Sequence, residues 1–210
     1  MTQDKDERKR PHLRLVVNNV EQRKPRPAGG EEDFIPLDVL AANRENFRRE
    51  FYDGMDRWQM KIYSVIERYL TARKCGFGLD PQHGKLLVVP VTFICPEINE
   101  HCPGQQDEVL IYLTDDASGI GYCLSIETIL PYWSEDEAIM EDVLLFSPIF
   151  QYGAMFLEEN RQDGLLDLIY RLASPLYPPA LTGRLLERLF AIAALEVGEA
   201  LRSLMEYSDG

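Results

Sequence analysis

The period of the hydrophobic pattern changes four times along this chain of 210 residues, and that alternation limits the fold more than any single motif does. From Leu37 to about Lys74, apolar residues recur at helical steps: Leu40, Phe47, Phe51, Met55, Trp58, Ile62, Val65, Ile66, Tyr69 and Leu70. Such steps form one stripe on a helix of about 3.6 residues per turn, with Arg44, Glu45, Arg48, Arg49, Arg57 and Lys61 mostly off it. Gly54 is the weak point, because glycine costs a helix about 1 kcal/mol relative to alanine, and Gly76 and Gly78 are expected to end it.

The period then falls to two. Leu87, Val89, Val91, Phe93 and Cys95 share one face of a strand, with Pro90 marking an edge or bulge. Residues 109–114 predict a second strand, Asp115 to Gly119 a turn, and Tyr122, Leu124 and Ile126 the alternation of a third, which Pro131 is expected to close. Ser134-Glu135-Asp136-Glu137 has the spacing of a capping box and predicts a short helix to about Leu145. Two more strands are expected, at about 150–157 and 165–173, with Asp163-Gly164 in the turn before the second and Leu166, Leu168, Tyr170 and Leu172 on its buried face. Pro175, Pro178 and Pro179 predict a rigid connection, and Thr182 an N-cap for a last helix that is apolar on more than one side.

These elements define an α+β domain: an antiparallel five-stranded sheet in the order α-βββ-α-ββ-α, packed against helices over residues 34–210. Ahead of it, residues 1–33 combine charge with Pro25, Pro27, Gly29 and Gly30 and read as a flexible basic arm. Residues 1–30 hold eight basic and four acidic residues, a net of +4, while the remaining 180 hold 14 basic and 31 acidic, a net of −17. An acidic body disfavours nucleic acid and anionic membrane and favours basic partners or plain solubility. One apolar island, Leu13, Leu15, Val16 and Val17, interrupts the arm and is long enough for a short strand or a docking peptide that orders on contact.

The order of elements resembles the YbjN-like fold, itself similar to that of the type III secretion chaperones. The matching segments are the strand 86–95 after the long helix, residues 134–145 before the hairpin, the stretch QYGAMFLEENRQDGLLDLIYRL with its Asp-Gly turn, and the helix at 182–206. The resemblance implies a non-enzymatic protein that binds another polypeptide along its sheet and helices, often as a homodimer, and low pI is common among such chaperones. The basic arm and the insertion at 96–108 depart from the pattern.

Other chemistries find weaker footing. Cys95, Glu97, Glu100, His101 and Cys102 form the best candidate metal cluster, and a zinc-dependent enzyme would have to use it. Yet the cysteines lack the paired short spacing of structural zinc sites, so no metal or other cofactor is expected. His12, His83 and His101 are the only histidines, there is no G-x-S-x-G elbow, and Gly76-Phe77-Gly78 precedes a strand rather than opening a helix, which leaves no phosphate cradle. Asp115 and Asp116 are explained by turn chemistry.

The candidate partner surface is Phe47, Phe51, Met55 and Trp58, with core packing as the plainer explanation. Arg8, Lys9, Arg10, Arg14, Arg23, Lys24 and Arg26 could contact phosphates, dock on an acidic protein surface including the chain's own, or remain solvated. No aromatics are interleaved to stack on bases. Without a membrane span or an apolar leader, and with four cysteines expected to be reduced, the expected location is the cytoplasm.

Overall fold

A computed structural model describes residues 14–15, 35–95, 108–115, 121–134, 150–159, 166–176 and 181–208. The stripe expected to form one long helix is divided into α1 (Leu37–Ala42), α2 (Arg44–Tyr52) and α3 (Arg57–Ala72). The larger break falls at Gly54, which takes a left-handed φ of +74°, a conformation that glycine adopts without a Cβ penalty. Asp53 before it is already extended, at φ −65° and ψ 134°. Asp56 then starts α3 afresh as an N-cap. Its Oδ1 accepts the backbone N–H of Trp58 and Gln59, at 2.6 and 2.8 Å, while Gln59 Oε1 accepts the Asp56 N–H at 3.0 Å.

The strands are β1 (Arg14–Leu15), β2 (Gly78–Asp80), β3 (Leu86–Pro90), β4 (Glu108–Asp115), β5 (Tyr122–Ser134), β6 (Gly153–Glu159) and β7 (Leu166–Leu176), followed by α4 (Gly183–Ser208). Neighbouring strands are antiparallel in the order β2-β3-β4-β5-β7-β6, and β1 pairs with β5 off that row. The α+β class and the antiparallel sheet are therefore as expected. The count is not: six strands stand in the row rather than five, because 78–80 pairs with β3 instead of ending a helix.

Prolines also act differently from expectation. Pro90 ends β3, and a short 3-10 turn at Val91–Phe93 follows where the strand was expected to run to Cys95. Pro131 does not close β5, which continues to Ser134 through a register irregularity between Ile129 and Trp133. Pro175 lies within β7, opposite Cys123, rather than in the connection. A bulge or an unpaired side of the ladder tolerates the missing N–H. Ser134 is the last residue of β5. The helix expected after it, the insertion from 96 to 107 and the turn residues 116–120 lie outside the described residues.

Packing follows the pleat. On one face Leu87, Val89, Val109, Ile111, Leu124, Ile126, Leu168, Tyr170 and Leu172 meet α3 and α4 in the main core. Tyr69 of α3 stacks on Phe190 of α4, with centroids 5.5 Å apart and planes at 9°, and Phe93 meets the same Phe190 edge-on at 5.4 Å. On the opposite face, Leu86 and Val88 with the half-buried Leu110 and Tyr112 meet Leu40 of α1 in a smaller second cluster. This is why β3 is buried on both sides. The approach of α1 is so close that a Cβ on Gly78 would lie 2.3 Å from the Leu40 Cβ, so only glycine fits there. Thr182 caps α4 as expected, its Oγ1 accepting the Leu185 N–H at 3.2 Å.

Candidate functional site

The four residues expected to form a partner surface do not share one. Phe47 is half-buried in the second cluster under the far face of the sheet. Phe51, one turn on, is fully buried in the main core, where it packs edge-on against Tyr63 at 4.9 Å and Tyr52 at 5.4 Å. Met55 lies between α2 and α3, partly buried against that core. Trp58 alone presents a large apolar surface: it is 42% exposed, and the Lys61 ammonium sits 4.8 Å from its ring centroid. Of the arm residues only the Arg14 backbone is described; Arg8, Lys9, Arg10, Arg23, Lys24 and Arg26 lie outside. Of the metal candidates only Cys95 is described, and it is buried. Glu97, Glu100, His101 and Cys102 lie outside, and no group of three His, Cys, Asp or Glu could hold a metal among the described residues.

A different surface is built where α4 passes the start of β6. Phe150, Gln151 and Tyr152 on one side and Ile192, Leu195 and Glu199 on the other line a groove of about 290 Å³. Leu195 is 71% exposed and Tyr152 54%, the two most exposed large apolar side chains among the described residues. Glu196 holds the walls together. Its Oε1 accepts the backbone N–H of Gln151 and Tyr152, at 2.9 and 3.0 Å; its Oε2 accepts the N–H of Gly153 at 2.9 Å and the Tyr170 hydroxyl at 2.7 Å. Three backbone donors and a hydroxyl on one carboxylate fix a segment that would otherwise expose unpaired N–H groups. Burial, and then the bond to Glu196, push the Tyr170 hydroxyl well above the usual phenol range, so it remains a donor.

The groove adjoins a sheet edge. β6 is last in the row, and among the described residues nothing pairs with its outer side. The register places Gly153, Met155 and Leu157 on the core face and Ala154, Phe156 and Glu158 on the other. Gly153 is required by packing, because a Cβ there would come within 2.5 Å of the Tyr170 ring. Sequence reading placed the hairpin but not this surface. The available signal was Leu195 on a helix apolar on more than one side, four residues before Glu199, in register with nothing that the sequence alone could identify.

The other polar clusters are occupied by structural bonds. Glu67, buried on α3, accepts from Arg48 Nη1 at 2.7 Å and from the Tyr52 hydroxyl. On the far face, Glu127 accepts from Arg171 Nε at 2.5 Å and from the Tyr112 hydroxyl at 2.8 Å, while the Arg171 guanidinium lies 4.5 Å from the Phe156 ring centroid. Burial and the Glu127 bond push Tyr112 up to about 12. Asp80, fully buried, takes the N–H groups of Gln82 and His83 on Oδ1 and faces His83 Nδ1 at 2.7 Å with Oδ2, which closes the turn between β2 and β3. Cys75 is a free thiol whose hydrogen points to the Gly76 carbonyl at 3.3 Å, and burial raises it to about 11. That is the opposite of what an activated nucleophile needs.

No known family model matches this chain, and no curated protein matches it in sequence. Among solved structures it is similar to that of YbjN from E. coli, a candidate transcription regulator. The TM-score is 0.39 and the identity 14%, over 65% of this chain and 90% of that one. At that level the likeness identifies no family and assigns no role.

Proposed function

We propose that this chain is a non-enzymatic polypeptide-binding protein, chaperone-like or adaptor in role, which takes an extended segment of a partner along β6 and into the groove beside α4. The observation that carries the reading is the exposure of Tyr152 and Leu195 next to a sheet edge that is open among the described residues. An added strand would bond to the outer backbone groups of β6, and its apolar side chains would cover the two exposed ones. Glu158 and Glu199 beside this path, on a body of net charge −17, favour a partner segment whose apolar residues are flanked by Lys or Arg. A second copy of the chain is the other occupant that would fit an open edge.

The test is affinity capture with mass spectrometry on the full chain and its Leu195→Asp variant, at low and physiological salt, followed by titration with the recovered partner's purified segment. The reading expects a defined protein retained by the wild type and bound about tenfold or more weakly by the variant, as loss of a central apolar contact costs on the order of 1–2 kcal/mol. Equal retention by both chains, or none by either, would sink it. A dimer seen by sedimentation and lost in the variant would make the edge a homodimer surface. A second reading, nucleic-acid association, is favoured by the +4 charge of residues 1–30. It expects RNA or DNA to be recovered with the wild type and lost when Arg8, Lys9 and Arg10 are changed to alanine.

A further inference from the structure

We infer that the N-terminal arm is an intramolecular placeholder: its strand Arg14–Leu15 occupies a strand-addition slot on the second half of β5, from which an extended peptide can displace it. The slot follows from unequal pairing on the two sides of β5. β7 accompanies β5 as far as Ser134, opposite Leu166, whereas among the described residues β4 pairs with it only from Asp115 opposite Tyr122 to Val109 opposite Thr128. Beyond Thr128 the β4 side of β5 would be an internal edge, a row of backbone groups without partners. Among the described residues one segment fills it: Arg14 stands opposite Trp133 and Leu15 opposite Tyr132, antiparallel, in line with β4 and beside α4.

Three features make this contact replaceable rather than structural. It is two residues long, against the seven of β6 or the eight of β4, so few ladder bonds hold it. Its recognition is through the backbone, which any extended segment supplies. Next to the contact Pro131 has no N–H to offer, and β5 is irregular against β7 between Ile129 and Trp133, so the ladder stays short for any occupant of the slot. Opposite charges on arm and body, +4 and −17, favour the contact, and the same field would attract a competing peptide of arm-like composition, apolar with flanking basic residues. A covalently tethered segment competes at effective concentrations up to about the millimolar range, so a free peptide must be well matched to displace it. The inference shares with the polypeptide-binding reading only the nature of the competitor, since the arm contact can be tested with the chain's own sequence.

The probe is a fluorescein-labelled peptide of residues 8–20, titrated by anisotropy at physiological salt against the full wild-type chain and against the full chain carrying Arg14→Pro and Leu15→Pro. Those changes remove both strand N–H groups from the arm and leave the body's sequence intact. The expected result is binding on the order of tenfold tighter to the double variant, with a scrambled peptide of the same composition showing no such difference, and faster amide exchange in the variant at whichever of Tyr132 and Trp133 turns its N–H toward the arm. Equal peptide binding to both chains, or unchanged exchange at those two amides, would overturn the inference. So would a wild-type dimer that the variant loses, which would assign the arm to a neighbouring copy. Because the Leu195→Asp experiment probes the β6 groove, either result there leaves this one readable.

Discussion

At Lys74 the chain accepts a conformation that its residue type resists. α3 ends in a Schellman arrangement: the Cys75 N–H reaches the Leu70 carbonyl at 3.0 Å and the Lys74 N–H the Thr71 carbonyl at 3.0 Å. The motif needs a left-handed residue just past the helix end, and Lys74 sits there at φ +57° where glycine is usual. For an L-residue with a Cβ this conformation costs roughly 1 kcal/mol, against which glycine loses somewhat more entropy on folding. Lys74→Gly is therefore expected to stabilise the protein by about 0.5–1 kcal/mol, read as a higher urea midpoint with unchanged slope. A lower midpoint would mean that the lysine side chain contributes more than its backbone costs. The sequence suggested Gly76 as the stop signal, two residues late, because a glycine near a helix end is legible and a strained lysine is not.

Among the elements, α3 depends on Asp56 at both of its carboxylate oxygens. One caps the helix, and the other accepts the hydroxyl of Tyr122 at the start of β5, so the helix start and a central strand are fixed by one side chain. The Tyr122 bond first, and then the N–H of Gln59, hold the Asp56 carboxyl below its usual 3.8, while the same bond pushes Tyr122 up to about 12. A depressed carboxyl contributes its stabilisation above the unfolded-state value and loses it as pH falls through the folded one. Asp56→Ala should accordingly cost about 1 kcal/mol at neutral pH, by analogy with other N-caps, with the gap to wild type narrowing below about pH 4. Asp56→Asn should keep most of the cap and flatten that pH dependence. Urea titrations at pH 7 and pH 3 would check both, and a gap that stays constant across that range would refute the linkage. Much at this scale was readable beforehand: alternation found β4, β5 and the buried face of β7, and Thr182 marked α4. What escaped were β2, too short to show a period, and the continuation of β5 and β7 through Pro131 and Pro175, since a proline's tolerance depends on which side of a ladder is paired.

Across the whole molecule, the apolar stripe that looked continuous serves two separate cores. Leu40 and Phe47 pack over the far face of the β2-β3-β4 end, while Phe51, Ile62, Tyr63, Ile66 and Leu70 pack over the near face, because α1 and α2 wrap around the β2 edge before α3 begins. Helical spacing cannot reveal this: the break at Gly54 and the turn at Asn43 rotate the stripe without interrupting its count. The same wrapping explains why the expected surface of Phe47, Phe51, Met55 and Trp58 is dispersed, and why the most exposed apolar pair lies at the opposite end of the sheet, where β6 has no helix wrapped around it among the described residues. It also predicts unequal local stability. Among the described residues the second cluster has only three buried members, Leu40, Leu86 and Val88, so a cavity there has few neighbours to collapse into it. Leu40→Ala should cost about 2–5 kcal/mol of local stability and open the α1–β2 end before the β5–β7 centre. Native-state hydrogen exchange would resolve this: protection at 78–80 and 86–89 should drop well below that at 124–128 and 168–172. An equal loss at both ends would mean that the two cores unfold as one unit, and that the edge covered by α1 and the edge formed by β6 do not differ in their freedom to open.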